Sequence, residues 1–274
     1  MTDRSDWEGR VGRKWAEEWK RTDRSFSGLT DRLLARASAS PITHALDVGC
    51  GAGEVSLALA RGHPDSTVIG LDISESLVSV ARERGAGLGN VSFLLADAAD
   101  WRGSSFAPDL IVSRHGVMFF PDPVAAFANL ARGAARDARL VFSCFRHRAE
   151  NPWATRIASL LPDGAVPQAE PCGPGPFAFA DRAHVEQILV AAGWSEVAFE
   201  PVDFAYIAGT GENAVSDARS FFLSIGPAAA AAATLDDEAR STFVSRLEKY
   251  LSANEEGSLV ALPGAAWIVS ARAR

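Results

Sequence analysis

The chain has 274 residues, of which 47% are apolar, and its formal net charge of −7 accompanies a pI of about 5.3. This length suits one large α/β domain with insertions, and the acidic balance lacks the basic surface that nucleic acids or anionic membranes need. The three cysteines and five histidines show no spacing of a disulfide framework or a metal site. Because no signal peptide or membrane-spanning stretch is visible, we expect a cytoplasmic protein without a metal, a nucleic-acid partner or a membrane partner.

Residues 6 to about 37 are predicted to form two helices. Trp7 and Trp15 belong to a stripe of large apolar residues that recurs every four positions and so shares one helix face. This stripe either closes over a ligand, with Trp15 touching the substrate, or packs on the sheet as ordinary core, and one helix can do both. We therefore treat residues 1–40 as an N-terminal helical lid and residues 41–274 as the core.

The most informative stretch is LDVGCGAGE at residues 46–54. The apolar residues before it predict a short buried strand, and three glycines at alternate positions then close that strand ahead of an apolar helix. Glycines at such a turn let the backbone bend sharply and let a ligand touch the main chain. A dinucleotide fingerprint has the spacing G-x-G-x-x-G, whereas Glu54 occupies the sixth place here. Asp47, two residues before the first glycine, would repel a pyrophosphate and suits a ligand that carries positive charge.

Two later strands also end in carboxylates. Asp72 closes the predicted strand 68–73, where a carboxylate can accept two hydrogen bonds from a ribose diol. Capping the next helix is the alternative role for Asp72, but Ser74 already serves as that cap. Asp97 follows the predicted strand 91–95. Its carboxylate could bind a ligand at this strand end, although aspartates are common in turns for purely structural reasons.

These residues resemble the nucleotide-binding motif of class I S-adenosylmethionine-dependent methyltransferases, of the small-molecule type with a UbiE or methyltransferase domain. The resemblance is close over residues 42–145 and otherwise follows from topology. It implies an α/β fold, a Rossmann-like seven-stranded sheet of order 3-2-1-4-5-7-6 with strand 7 antiparallel. It also implies S-adenosyl-L-methionine as cofactor and S-adenosyl-L-homocysteine as product, with the ribose on Asp72 and the adenine amine on Asp97. The cofactor-binding residues it implies are Asp47, Gly49, Cys50, Gly51, Gly53, Asp72, Ile73, Asp97, Ala98, Ser113 and Arg114.

His115 follows the predicted fourth strand, 109–113, by two residues, at the edge of the sheet where the sulfonium is expected. Imidazole titrates near pH ~6.5, so His115 could act as a catalytic general base, and it could equally be a packing residue. Relatives often carry an aromatic residue at this position, which leaves the base role open. Met118, Phe119 and Trp153 suggest an apolar or aromatic substrate, although the same residues could belong to plain core.

Two insertions depart from a minimal fold of this kind. The first, at about 147–178, is punctuated by proline and glycine and leaves from the end of the fifth strand, 139–145. The second, at about 209–256, separates the sixth strand from the last one and contains an alanine run that favours helix. We expect both insertions to form a helical cap and to close over a small-molecule substrate.

The resemblance implies in-line transfer of a methyl group to a small, apolar or aromatic molecule by a monomer or homodimer. Two alternatives stay open at this point: an RNA or protein methyltransferase, and a protein that binds the same cofactor for non-methylating chemistry. The acidic balance and the large cap count against the first. The second shares its motifs with the transferases, because cofactor binding and methyl transfer use the same residues.

Overall fold

A sheet of mainly parallel strands organises the chain, whose computed structural model describes residues 4–103, 106–162 and 173–274. The strands are β1 (His44–Val48), β2 (Thr67–Asp72), β3 (Val91–Leu95), β4 (Leu110–Arg114), β5 (Arg139–Phe145), β6 (Trp194–Thr210), β7 (Glu255–Glu256) and β8 (Leu259–Ala273). Their order is 3-2-1-4-5-8-6, with β8 antiparallel to its neighbours and the two-residue β7 paired to β8. This confirms the predicted order, because β7 only moves the number of the last strand from seven to eight.

Helices surround this sheet. They are α1 (Arg4–Glu8), α2 (Arg10–Glu17), α3 (Trp19–Ser25), α4 (Ser27–Ala37), α5 (Glu54–Gly62), α6 (Glu75–Gly85), α7 (Pro123–Gly133), α8 (Pro152–Ala158), α9 (Arg182–Ala191), α10 (Ala214–Ser224), α11 (Pro227–Ala232) and α12 (Asp237–Ser252). Consecutive residues of β1 and β4 are buried, so the central strands are covered on both faces, as in other parallel sheets. No helix of the described residues is both long enough and apolar enough to cross a membrane.

The N-terminal segment forms four helices, so the expectation of two helices is wrong. The backbone leaves helical geometry at Gly9 and turns again at Glu18 and Phe26. The four-residue spacing of the tryptophans reports which residues share a face, but it carries no information on bends between successive turns. The bend at Gly9 lies between Trp7 and Trp15, whose ring centroids are 5.5 Å apart.

The first insertion starts where Asn151 fastens it to the sheet. The buried Asn151 amide donates to the carbonyl of Ala265 in β8 at 3.1 Å and accepts from the Ala265 N–H at 2.9 Å. Its oxygen also accepts from Trp153 Nε1 at 3.0 Å, which fixes the Trp153 ring at the start of α8. Residues 163–172 of this insertion lie outside the described residues.

The second insertion is carried by the two longest strands. β6 and β8 pair from Trp194 and Ala273 to Thr210 and Leu259, well beyond the length of the parallel strands. α10, α11 and α12 follow β6 before the chain returns through β7. Their attachment to the extended ladder places α10 and α11 above the carboxyl end of the sheet, where their residues reach the cavity described below.

Candidate functional site

A cavity of about 600 Å³ lies at the carboxyl ends of the parallel strands, which is where open α/β sheets bind ligands. Its wall comes from the strand ends, the N-terminal helices and both insertions. Fourteen of the sixteen site residues expected from the sequence line it: Trp15, Asp47, Gly49, Cys50, Gly51, Asp72, Ile73, Asp97, Ala98, Arg114, His115, Met118, Phe119 and Trp153. The remaining two, Gly53 and Ser113, do not.

Gly49 and Gly116 bring two stretches of backbone close together in the cavity floor. Gly49 has φ +65°, and a Cβ added there would lie 2.8 Å from the Gly116 Cα. Ser113 sits behind this contact: its hydroxyl donates to the Val48 carbonyl at 2.7 Å and accepts from the Gly116 N–H at 3.1 Å. Ser113 therefore fixes the turn after β4 against the end of β1 from outside the cavity wall.

Asp47 is buried under the glycine loop with one carboxylate oxygen unsatisfied. Its Oδ2 accepts from the Ser56 hydroxyl at 2.6 Å, whereas its Oδ1 has no hydrogen-bond partner. Burial raises the pKa of Asp47 to about 6, and the hydrogen bond from Ser56 opposes that rise. A buried carboxylate with a free acceptor oxygen is costly unless a positively charged or donating group meets it.

Asp72 and Asp97 carry acceptor oxygens at the ends of the next two strands. The Asp72 carboxylate accepts from the backbone N–H groups of Gly51 and Ser74, each at 2.9 Å, which holds it against the glycine loop. Burial raises the pKa of Asp72, and these backbone N–H donors oppose that rise. Asp97 accepts from the Ala99 N–H at 2.9 Å, and its other oxygen pairs with Nη1 of Arg4 at 2.9 Å.

His115 lies in the wall with its ring packed between aromatic side chains. The ring stacks on Phe145 at 4.0 Å between centroids and meets Phe26 edge-on at 5.1 Å. Both ring nitrogens are enclosed and have no hydrogen-bond partner. Burial lowers the pKa of His115 to about 3, with a further contribution from the positive charge of Arg114, so the imidazole is neutral at physiological pH.

The cavity divides into a charged half and an uncharged half. The charged half holds every charged side chain of the described lining: Arg4, Asp23, Asp47, Asp72, Asp97 and Arg114. The uncharged half lies at the end of β5 and under the insertions, with rings from Phe26, Phe145, Trp153, Tyr206 and Phe221. The two halves meet where the Arg114 guanidinium lies 5.6 Å from the centre of the Phe26 ring. The Trp153 and Tyr206 rings stack with their centroids 5.0 Å apart, and the centroid of the Phe145 ring lies 4.9 Å from that of Trp153.

Several lining residues had not been expected from the sequence. Phe145 is the last residue of β5, so the rule that ligands sit at carboxyl ends of strands could have identified it. Asp23, Tyr206 and Phe221 carry no such signal. They lie on α3, within the long strand β6 and on α10, and only the packing of these elements over the sheet brings them to the cavity. Within the described ranges, no group of histidine, cysteine and acidic side chains could hold a metal ion.

Sequence comparison relates the chain to known methyltransferases. A family model described as a methyltransferase domain matches residues 40–179, more than half of the chain. The trans-aconitate 2-methyltransferase of Variovorax paradoxus (strain S110) is 30% identical over 168 residues, which cover 61% of this chain and 60% of that protein. The nocamycin O-methyltransferase of Saccharothrix syringae is 36% identical over 118 residues, which cover 42% of each. The chain therefore matches less than two thirds of the length of these relatives.

A solved structure shares the fold across nearly the whole chain. The phosphoethanolamine N-methyltransferase 2 of Haemonchus contortus, in complex with S-adenosyl-L-methionine, superposes with a TM-score of 0.55 and 15% identity. The superposition covers 95% of this chain and 57% of that one. At this level of identity the likeness concerns the fold.

Proposed function

The chain belongs to the methyltransferase domain family, within the class I S-adenosylmethionine-dependent methyltransferases, and from this premise we propose that it methylates a small molecule. The cofactor is S-adenosyl-L-methionine and the product S-adenosyl-L-homocysteine. The observation that carries this proposal is the set of carboxylates Asp47, Asp72 and Asp97, which line one cavity from three adjacent strand ends.

The charged half fits a cofactor of this kind. Asp72 offers two acceptor oxygens to the ribose diol, and Asp97 with the following backbone N–H of Ala98 faces the adenine edge. At Gly51, where an added Cβ would meet no atom within 4 Å, the main chain of the glycine loop stays open to the methionine portion. The unsatisfied Oδ1 of Asp47 suits a positively charged ligand, and four carboxylates against two guanidinium groups make this half acidic.

When bound, the cofactor supplies a methyl group that is already activated by the positive charge on sulfur. The protein therefore has to orient the acceptor and exclude water, and geometry alone can supply effective molarities of ~10⁵ M or more. His115 is a poor general base in this arrangement, because its nitrogens are enclosed and its pKa is about 3. We propose that His115 is a wall residue and that catalysis rests on orientation.

The uncharged half supports an apolar or aromatic acceptor, with Trp15, Met118, Phe119 and Trp153 in the proposed contact set. The relatives cited above act, by their names, on trans-aconitate and nocamycin. Trans-aconitate is a carboxylate anion, whereas rings line the space around Trp153 and Tyr206, and Arg114, which lies 5.6 Å from the Phe26 ring, is already paired with Asp23. We propose that the acceptor of this chain is a different, uncharged molecule.

The walls of the cavity support the proposed division of the chain. The described parts of the proposed lid, residues 1–40, and of the proposed cap, formed by the two insertions, both contribute residues to the cavity lining. A cavity of about 600 Å³ with walls from the lid and the cap suits a small molecule better than a folded RNA or protein. The cytoplasmic location and the monomeric or homodimeric state expected from the sequence stay predictions.

Calorimetry with the purified chain tests this proposal. We expect S-adenosyl-L-homocysteine to bind in the micromolar range and Asp72→Ala to weaken that binding about 10- to 150-fold, because hydrogen bonds to a charged acceptor are lost. The exposed Asp65→Ala variant is the matched control and should bind like the parent. Transfer of labelled methyl groups to a panel of apolar ring compounds then tests the reaction. Unchanged affinity in Asp72→Ala would show that the end of β2 is assigned wrongly.

A further inference from the structure

An ion pair that no sequence motif indicated joins the N-terminal helices to the end of β4. Asp23 lies on α3, and its Oδ1 is 3.0 Å from Nη2 of Arg114, the last residue of β4. Both side chains line the cavity, with only 12% and 14% of their surface exposed. Arg84 lies 2.9 Å from the second Asp23 oxygen and donates to the Ala52 carbonyl at 2.7 Å. Because Ala52 belongs to the glycine loop, Asp23 is held beside that loop as well as beside Arg114.

The position of this pair in the sheet agrees with the far end of the proposed cofactor. The strands run in the order β3, β2, β1, β4, and Asp97 and Asp72 follow the first two of these. A ligand with its adenine at Asp97 and its ribose at Asp72 therefore extends across β1 toward β4. Its opposite end is an α-amino acid, with one ammonium and one carboxylate.

On the premise of the proposed function, we propose that Asp23 and Arg114 recognise this amino-acid end. The Asp23 carboxylate accepts hydrogen bonds from the α-ammonium, and the Arg114 guanidinium donates to the α-carboxylate. The bound amino acid then lies between α3 and β4, so the cofactor itself fastens the lid to the core. The resemblance implied Arg114 as a cofactor-binding residue, and the ion pair adds Asp23 to the proposed site.

The surroundings of Asp23 support a ligand-binding role over a purely structural one. A largely buried ion pair contributes little net stability, because desolvation offsets the attraction between its charges. Burial raises the pKa of Asp23 to about 6, and the neighbouring Glu54 carboxylate adds to this rise, although Arg114 and Arg84 oppose it. A ligand ammonium at this carboxylate would favour its ionised form and would oppose the effects of burial and of Glu54.

A comparison of two ligands isolates the amino-acid end. 5′-Methylthioadenosine keeps the adenosine and the sulfur of S-adenosyl-L-homocysteine but lacks the amino acid. Calorimetry with both ligands should show that Asp23→Asn weakens S-adenosyl-L-homocysteine about 10- to 100-fold and changes 5′-methylthioadenosine less than twofold. Arg114→Gln should show the same selective loss, and it is a second test should Asp23→Asn fold poorly.

Asp217→Asn is the matched control. Asp217 also bridges two arginines of α3, with Oδ1 2.8 Å from Arg21 Nε and Oδ2 2.7 Å from Arg24 Nη1, but it does not line the cavity. Its loss should leave both affinities within twofold of the parent.

Equal weakening of both ligands in Asp23→Asn, or of neither, overturns the inference and leaves the proposed function standing. A parent chain that binds both ligands equally well overturns it too, because the amino-acid end then contributes nothing. A parent chain that binds neither ligand contradicts the proposed function itself.

Discussion

The two halves of the cavity differ in where their residues come from. The charged half is built mainly from strand ends that follow one another in the sheet, and its key carboxylates lie within residues 47–97. The uncharged half collects rings from the lid, from the end of β5, from the first insertion and from β6 and α10, between Phe26 and Phe221. One half is thus a local property of the sheet, and the other is a product of the whole fold.

This difference separates two tasks that one enzyme has to perform. Backbone-anchored carboxylates such as Asp72, which accepts from two main-chain N–H groups, define fixed polar positions for a ligand of constant structure. Rings stacked on one another, such as Trp153 on Tyr206, define an apolar shape whose size changes with each substitution. We therefore expect changes in one half to leave the ligand of the other half largely undisturbed.

Trp153→Ala is the strongest test of this independence. Trp153 contacts Phe145 and Tyr206, and truncation opens the uncharged half without touching a carboxylate. We expect kcat/KM for the acceptor to fall about 10- to 100-fold, since an anchoring aromatic ring is lost. Affinity for S-adenosyl-L-homocysteine, measured by calorimetry, should stay within twofold. A parallel loss of both would show that the two halves do not act separately.

The Asp47→Asn variant tests the charged half through the pH dependence of the free energy of unfolding. Because the folded-state pKa of Asp47 is about 6 and the unfolded value is about 3.9, the folded chain prefers the protonated form. Ionised Asp47 therefore destabilises the folded state above about pH 6, and this penalty disappears as the pH falls toward 4. Asn keeps an acceptor for Ser56 and removes the charge.

The expected result is an unliganded Asp47→Asn chain that is more stable than the parent by about 1–3 kcal/mol at pH 8 and little different near pH 4. Thermal and denaturant unfolding at both pH values measure this. Cofactor affinity should fall in the same variant, since Asp47 lines the charged half and the substitution removes its negative charge. A variant less stable than the parent at pH 8 would contradict the buried, unpaired state of this carboxylate.

His115→Phe is expected to have the smallest effect. Phenylalanine preserves the stacking on Phe145 and removes only nitrogens that contact no partner. Single-turnover methyl transfer should stay within threefold of the parent, with no change in its pH profile from pH 6 to 9, because a group with a pKa of about 3 does not titrate there. A loss of 10²-fold or more would restore the general-base hypothesis.

The contrast between the halves also explains what the sequence could predict. The strand order and the carboxylates at three strand ends follow from short motifs, because alternating glycines and apolar runs act over a few residues. Ser113 was expected to bind the cofactor. Its hydroxyl instead donates a hydrogen bond to the carbonyl of Val48, 65 positions away, and Ser113 does not line the cavity. Asp23 meets Arg114 across 91 positions, and no periodicity within the lid could have indicated that partner.

A structure of the chain at saturating S-adenosyl-L-homocysteine tests the central claim most directly. We expect the ribose diol within hydrogen-bonding distance of the Asp72 carboxylate, the adenine amine at Asp97 and the amino acid toward Asp23 and Arg114. The rings around Trp153 and Tyr206 should then enclose space that the ligand leaves free for an acceptor. A ligand bound with its adenosine among those rings, or with no contact to Asp72, would contradict the assignment of the charged half to the cofactor and of the uncharged half to the acceptor.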